Sequence, residues 1–123
     1  MTTARRKLGD FAERIAAELL VSKGYRIRET NHRTRFGETD IIAQKDDTLA
    51  FVEVRCRRGS RMGTASESLS LSKQRRLVNL AEAYGLGDDS LPQGRRIDLI
   101  AVDLATDGRV LSVQHIEGAV SAE

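Results

Sequence analysis

The chain has 123 residues, of which 40% are hydrophobic and 31% charged, and its formal net charge is +2. We expect one domain over residues 1–123 that buries roughly 65–70% of its unfolded surface. Because no stretch approaches the roughly 20 apolar residues of a membrane span and the N-terminal segment lacks the apolar core of a signal peptide, we expect a cytoplasmic protein without a membrane partner. The single cysteine, Cys56, excludes an internal disulfide and predicts a buried structural thiol.

The first predicted element is an amphipathic helix. Gly24 stands where a glycine commonly follows a helix end. Glu13 lies at the margin of the apolar stripe, and two interpretations of it stay open: a surface glutamate paired with Arg6 or Arg14, which periodicity favours, or a carboxylate that points toward the next elements. The stripe recurs at helical spacing and consists of Leu8, Phe11, Ala12, Ile15, Ala16 and Leu19.

A β-hairpin is the next strong signal. Residues 25–36 supply a short strand and a basic connection, and residues 37–55 read as two apolar strands around the turn-prone pair Asp46-Asp47. If that pair forms a two-residue turn, counting back along both strands places Asp40 opposite Glu53. A turn one residue longer or shorter would separate the two carboxylates.

Asp40 and Glu53 are therefore a candidate metal site. Directly opposed residues share a face with Cβ atoms roughly 4.5–5.5 Å apart, and Arg55 projects from the same face. Mg²⁺ takes oxygens from one or two carboxylates plus water and substrate phosphate, whereas two unpaired like charges would destabilise the hairpin. The hairpin predicts a metal-dependent phosphodiesterase; the alternative is a solvated Glu53 at a strand edge, paired with Arg55.

Three arginine-rich clusters flank the hairpin, at residues 32–35, 55–61 and 73–76. Guanidinium groups suit phosphate oxygens, so together they favour a nucleic-acid backbone that is held without reading its sequence, although any one cluster alone is better explained as solvated charge. An aromatic content of 4% disfavours extensive base stacking on single strands. The predicted phosphate contacts are Arg33, Arg35, Arg57, Arg58, Lys73, Gln74 and Arg76.

A second helix is predicted over residues 71–84. Lys73 in its first turn opposes the helix dipole, which makes it either a phosphate contact or simply an exposed lysine. Gln74 lies on the apolar face, where it either hydrogen-bonds a strand or loop or reaches the site.

Two last strands are predicted over residues 96–104 and 110–116, around an Asp107-Gly108 turn. Asp98 stands among apolar strand residues, where a structural hydrogen bond or an ion pair with an arginine is at least as reasonable as chemistry. We expect residues 117–123 to form a flexible C-terminal tail.

The arrangement of Glu13 on a first helix, then Asp40, then Glu53-Val54-Arg55 resembles the PD-(D/E)XK nuclease superfamily and, within it, archaeal-type Holliday junction resolvases. More closely, nearly the whole chain resembles the YraN-like family of small uncharacterised bacterial proteins. The residues that carry this resemblance are Gly9, Ala12-Glu13, Ala16, Gly24-Tyr25, Asn31, Gly37 to Ala43, Phe51 to Arg55, Lys73-Gln74, Arg76 and Arg96 to Asp98.

The resemblance implies an α/β fold with a restriction-endonuclease-like αβββαβ core, in which helices flank a mixed central sheet of about five strands. It implies Asp40 and Glu53 as ligands of Mg²⁺ or Mn²⁺, Glu13 as a third, supporting carboxylate, and Glu38 as a secondary candidate beside Asp40. It also favours a homodimer, because junction resolvases cut two symmetric strands.

Two positions depart from the pattern: Ala12 stands where a glycine usually precedes the helix glutamate, and the second departure bears on the chemistry. The usual lysine of the signature is Arg55, which stays charged at any accessible pH and cannot be a general base; it can still orient water or stabilise charge on a phosphate. Lys73 is predicted to supply the missing amine. The leading hypothesis is a metal-dependent endonuclease that acts on DNA, including branched DNA, with Glu13, Asp40, Glu53 and Arg55 as catalytic residues. The alternative is a catalytically inactive nucleic-acid-binding module with the same fold.

Overall fold

The computed structural model describes residues 3–59 and 69–120, with side chains from residue 7 onward. Within these ranges, two helices and five strands confirm the predicted αβββαβ core with one further strand. Neither described helix is long and apolar enough to span a membrane. The elements are α1 (Thr3–Ser22), β1 (Arg26–Thr34), β2 (Gly37–Lys45), β3 (Thr48–Arg58), α2 (Leu71–Ala83), β4 (Gly94–Leu104) and β5 (Val110–Val120).

The five strands form one mixed sheet in the order β1-β2-β3-β4-β5. β3 and β4 are parallel, and all other neighbours are antiparallel. Parallel neighbours require a crossover connection, which here contains α2. The parallel pair extends from Thr48 beside Gly94 to Arg58 beside Leu104. The fold is therefore consistent with a restriction-endonuclease-like core.

The two helices pack on opposite faces of this sheet. Successive side chains of a strand point to opposite faces. Val52 of β3 accordingly joins Leu20 of α1 in one hydrophobic core, while Phe51 packs with Leu77 and Leu80 of α2 in the other. Adjacent positions of β3 therefore lie under different helices, and both helices use the apolar faces that their periodicity predicted.

The predicted turns are confirmed. Lys45 pairs with Thr48 across a two-residue turn in which Asp46 adopts a φ of +54°. Gly24 follows α1 with a φ of +94°, a left-handed conformation that costs glycine little. Gly108 has a φ of +91° in the β4–β5 turn, where the backbone N–H of residue 105 donates to the carbonyl of residue 109.

Both edge strands are longer than their sequences predicted. β1 continues to Thr34, through residues for which the sequence predicts a basic connection. β5 continues to Val120, which pairs with Ile97, so the prediction of a tail is wrong for residues 117–120. Residues 121–123 lie outside the described part of the chain. Most side chains of an edge strand are exposed and can be polar. A polar sequence therefore does not indicate that the backbone of such a strand pairs with its neighbour.

Candidate functional site

Asp40 and Glu53 meet on the α2 face of the sheet. The β2–β3 ladder has the predicted register, and its last pair at this end is Ile41 with Val52. One residue beyond that pair, Asp40 Oδ2 accepts a hydrogen bond of 2.7 Å from the backbone N–H of Val54. The carboxylate of Asp40 is therefore fixed by the backbone of β3, next to Glu53.

Glu53 is a buried carboxylate, with 3% of its surface exposed. Its Oε1 lies 3.4 Å from Lys73 Nζ and 4.0 Å from Arg55 Nη2, and its buried Oε2 has no hydrogen-bond partner among the described residues. Burial raises the pKa of Glu53 to about 7; the charge of Asp40 adds to this rise, and Lys73 and Arg55 oppose it. The alternative of a solvated Glu53 is therefore wrong.

Arg55 extends from β3 on the same face as Glu53. Besides the contact of its Nη2 with Glu53, its Nε is buried and has no hydrogen-bond partner within the described ranges. A guanidinium group carries five N–H donors in a fixed fork. Arg55 therefore keeps donor capacity for an anionic ligand beside the carboxylate pair.

Lys73 enters the site from the first turn of α2. Ser70 caps this helix, and its Oγ accepts a hydrogen bond of 3.1 Å from the backbone N–H of Lys73. A cation in this turn is disfavoured by the helix dipole, and the carboxylate of Glu53 compensates for that. Lys73 is half-buried, so the interpretation of a simply exposed lysine is wrong.

Glu13 belongs to α1 and approaches the pair from another direction. Burial raises the pKa of Glu13, the charges of Asp40 and Asp10 raise it further, and a hydrogen bond from the Asn31 side chain lowers it in part. A surface glutamate in open solvent would not experience these influences. The structure therefore supports the interpretation that Glu13 points toward the next elements. The side chain of Arg6, one of its two predicted surface partners, lies outside the described residues.

The number of carboxylates that could jointly hold a metal ion is limited. In the part of the chain that the structure describes, no group of three or more His, Cys, Asp and Glu side chains is arranged to bind one. Asp40 and Glu53 remain as a two-carboxylate set, which is the number that Mg²⁺ commonly takes from a protein. The unpartnered Oε2 of Glu53 and the repulsion between the two carboxylates fit such an ion. Glu13 as a third ligand stays a prediction.

Asn31 is a site residue to which the sequence analysis assigned no role. It lies on β1 between Thr30 and His32, at the level of Asp40, and adopts a φ of +52°. Its side chain lies beside Glu13 and lowers the pKa of that carboxyl. The available signal was an asparagine inside a strand pattern, because asparagine tolerates the left-handed conformation better than most residues do.

A cleft of about 350 Å³ opens next to Lys73, between α2 and the connection from β1 to β2. We call it the phosphate cleft. Its ion pair between Arg33 and Glu38, 3.0 Å long, is exposed to solvent, and pairs of this kind contribute only ~0.2–1 kcal/mol. An incoming anion can therefore displace Glu38 at little cost. The cleft is lined by Arg33, Thr34, Gly37, Glu38, Lys73, Arg76 and Leu77.

Two further predicted phosphate contacts differ in their surroundings. The guanidinium of Arg35 lies 5.0 Å from the ring centre of Phe36. Gln74 Nε2 donates a hydrogen bond of 3.0 Å to the carbonyl of Leu69. Of the two interpretations of Gln74, the structure supports the hydrogen bond to a loop.

The cluster after Glu53 is only partly described. Arg57 lies on the Glu53 face of β3 by strand alternation. Arg58 points the other way and donates a hydrogen bond of 3.0 Å from Nε to the carbonyl of Thr106, near the β4–β5 turn. Arg61 lies outside the described residues.

Asp98 occupies a separate buried cluster on the α1 face. Each of its carboxylate oxygens accepts a hydrogen bond of 2.8 Å from Arg96, and the ring of His115 and the backbone N–H of Gly118 complete the set. Asp98 is therefore the structural ion-pair partner that the sequence analysis considered.

Cys56 is a half-buried thiol that packs against the α1 core. Burial raises its pKa, and the charge of Asp103 raises it further. A raised pKa disfavours the thiolate, which is the reactive form. Cys56 is therefore a structural residue, less completely buried than predicted.

The similarity of this chain to known proteins extends over the residues of this site. The model of the "Uncharacterised protein family UPF0102" matches residues 12–102. A UPF0102 protein of Symbiobacterium thermophilum is 46% identical over 105 residues, which are 85% of this chain and 89% of the relative. Relatives from Roseiflexus castenholzii and Moorella thermoacetica are 41% identical over 122 residues and 45% identical over 121 residues, and each match covers at least 97% of both chains. The resemblance to the YraN-like family is confirmed: the chain belongs to the uncharacterised protein family UPF0102.

Proposed function

We propose that this protein is a divalent-metal-dependent endonuclease that hydrolyses phosphodiester bonds of DNA. The observation that carries the proposal is the buried Glu53, whose pKa is raised to about 7 beside Asp40 and whose Oε2 has no partner among the described residues. A buried and incompletely paired carboxylate is unfavourable for folding. Such a group beside a cleft is typical of a functional site.

Asp40 and Glu53 would hold Mg²⁺ or Mn²⁺, since hard cations prefer carboxylate oxygens. A cation there supplies Lewis acidity, which polarises the phosphate and favours attack by water near neutral pH. Arg55 stabilises the negative charge that develops on the phosphate, because it never loses its proton. Lys73 lies between Glu53 and the phosphate cleft, orients the attacking water and supplies the amine that position 55 lacks.

The phosphate cleft accommodates the backbone next to the scissile bond. Arg33 and Arg76 line it together with Lys73, so three cations face the positions of neighbouring phosphates. Phosphate contacts orient a nucleic acid without reading its sequence. The resemblance to junction resolvases favours DNA, branched DNA included, and a homodimer as the acting unit.

A catalytically inactive nucleic-acid-binding module is the second candidate function. Arg55 in place of lysine favours it, and so does the lack of a three-ligand metal cluster within the described residues. Such a module would use the cations of the phosphate cleft alone. The two functions differ in whether metal binding leads to strand cleavage.

Titration calorimetry with Mg²⁺ and Mn²⁺ tests the proposal, on the wild type and on the double variant Asp40→Asn, Glu53→Gln. The metal-loaded proteins are then incubated with branched, duplex and single-stranded DNA. We expect the wild type to bind metal and cut at least one substrate, and the double variant to do neither. No metal binding by the wild type, even with DNA present, would overturn the catalytic assignment; DNA binding without cleavage would favour the inactive module.

Lys73→Met tests the assigned amine, with Lys7→Met as the matched control on the exposed side of α1. We expect Lys73→Met to lose cleavage and Lys7→Met to keep it. Undiminished cleavage by Lys73→Met removes Lys73 from the mechanism and leaves the carboxylate pair in place.

A further inference from the structure

A second pocket adjoins the phosphate cleft and differs from it in chemistry. It has a volume of about 480 Å³ and is lined largely by apolar and aromatic side chains. We call it the aromatic pocket and define it by Phe36, Leu80, Tyr84 and His32, with the exposed arginines Arg28 and Arg35.

The aromatic pocket concentrates planar groups in a chain that has few of them. The sequence contains three Phe, two Tyr and no Trp, and Phe36 and Tyr84 both line this pocket. Tyr84 is held by edge contacts with His32 and Phe51, at 5.2 and 5.5 Å between ring centres, and its hydroxyl donates to a carboxylate oxygen of Glu29. The guanidinium of Arg35 lies over Phe36. Fixed aromatic rings with guanidinium planes are the groups on which proteins stack unpaired nucleobases.

The two pockets are neighbours along α2. Thr34 lines both of them. Lys73 faces the phosphate cleft, and Leu80 and Tyr84 face the aromatic pocket. At 1.5 Å per residue these positions stand roughly 10–16 Å apart, which is about three to five nucleotides of B-form rise along one strand. One strand can therefore occupy both pockets.

We propose that the aromatic pocket binds an unpaired nucleobase of the substrate, a few nucleotides from the scissile phosphate. This inference rests on the proposed function and narrows its substrate to DNA with an unpaired segment, such as an overhang, a bulge or a branch point. A base inside a perfect duplex is stacked and paired and cannot enter the pocket. Because every base has a π face, stacking here tolerates any sequence.

A measurement of DNA binding without metal tests this inference independently of cleavage. The probes are a fluorescent oligothymidine of about 12 nucleotides, within the length range of single-strand binding sites, and an abasic strand of equal length with the same number of phosphates. Fluorescence anisotropy in EDTA gives both dissociation constants for the full-length protein. We expect the wild type to bind the base-bearing strand about tenfold more tightly, which is within the range for one stacked base. Equal affinity for the two strands, or no binding of either, overturns the inference.

Two variants test whether the preference for the base-bearing strand arises in the aromatic pocket. Phe36→Leu keeps an apolar side chain and should lose most of the tenfold preference, whereas Phe11→Leu, a half-buried phenylalanine of α1, should keep it. Arg35→Gln should reduce the preference, whereas Arg109→Gln, at another exposed arginine in the β4–β5 turn, should not. Arg35 is exposed, so this second test holds even if Phe36→Leu fails to fold. An unchanged preference in Arg35→Gln overturns the pocket assignment, and so does an unchanged preference in a folded Phe36→Leu.

The outcomes for the pocket and for the nuclease are distinguishable. A wild type that prefers the base-bearing strand and never cuts any DNA would refute the nuclease and leave the pocket intact. A wild type that cuts perfect duplex and single strands alike, without preferring bases, would refute the pocket and leave the nuclease intact.

Discussion

Glu53 illustrates how one buried residue can link the site to the stability of the fold. Burial and the neighbouring charge of Asp40 outweigh the attraction of Lys73 and Arg55, so its pKa rises from the ordinary 4.5 to about 7. Between these two values the folded state keeps a proton that the unfolded chain has released. The free energy of unfolding therefore falls as the pH rises through this window.

Glu53→Gln removes the charge and preserves the shape of the side chain. We expect the variant to unfold at a higher temperature than the wild type above about pH 7, and at a similar temperature near pH 4.5, where both side chains are neutral. Thermal denaturation followed by circular dichroism across this range measures the difference. Added Mg²⁺ at about pH 8 should raise the wild-type transition and not that of the variant. Parallel pH curves for the two proteins would contradict this account.

The pKa of Asp98 is shifted in the opposite direction to that of Glu53. Burial alone would raise its pKa, but hydrogen bonds from Arg96, the Gly118 N–H and His115 outweigh burial and hold the pKa below its usual value. Its contribution to stability is therefore present near neutral pH and is lost as the pH falls through that lowered pKa.

Asp98→Asn should destabilise the protein by about 3 kcal/mol or more, because it leaves Arg96 without its buried counter-charge. Urea unfolding at neutral pH measures this loss. Asp107→Asn is the matched control: its ion pair with Arg109 is exposed, and such pairs contribute less than about 1 kcal/mol. Equal effects of the two substitutions would show that the Asp98 cluster has no special role.

Among the secondary-structure elements, the start of β4 is packed closely against the β2–β3 turn. The N–H of Gly94 donates to the carbonyl oxygen of Asp47 at 3.0 Å. A Cβ at Gly94 would lie 2.7 Å from that oxygen and 3.1 Å from Thr48 Oγ1. A Cβ at Gly9 in α1, by contrast, has no described atom within 4 Å beyond the helix's own backbone.

These two glycines predict opposite effects of the same substitution. Gly94→Ala should destabilise the protein by about 1–3 kcal/mol through overpacking. Gly9→Ala should stabilise it by about 0.5–1 kcal/mol, because alanine loses less backbone entropy in a helix. Urea unfolding of both variants measures the two changes. Destabilisation by Gly9→Ala would mean that its free space is needed by another part of the chain.

For the molecule as a whole, charge is nearly balanced, at +2, yet three cations gather in one cleft. Affinity for a polyanion then depends on that local cluster, because each phosphate contact releases a condensed counterion.

Without metal, the association constant for duplex DNA should therefore fall as the salt concentration rises. The logarithm of this constant plotted against the logarithm of the salt concentration should have a slope of roughly −3 if Arg33, Lys73 and Arg76 each contact one phosphate. Arg33→Gln should reduce the magnitude of the slope by about 1, and Arg109→Gln should leave it unchanged. Anisotropy titrations at several salt concentrations provide the slopes. A flat salt response would contradict the assignment of the phosphate cleft.

Features that depend on neighbours along the chain could be predicted from the amino-acid sequence alone. The register of the β2–β3 hairpin followed from the pair Asp46-Asp47, and the packed faces of α1 and α2 followed from helical spacing. The lengths of β1 and β5 did not follow, because a strand at the sheet edge is held by backbone pairing that its polar side chains do not reveal.

Which helices and strands contact each other could be learned only from the folded structure. The contact of Lys73 with Glu53, the position of Asn31 beside Glu13 and the unpartnered Oε2 of Glu53 each depend on segments that are distant in sequence. The periodicity of a sequence shows which face of a helix or strand is apolar. It contains no information on which other element that face contacts. Burial arises from such contacts, so the raised pKa of Glu53, whose largest cause is burial, does not follow from periodicity.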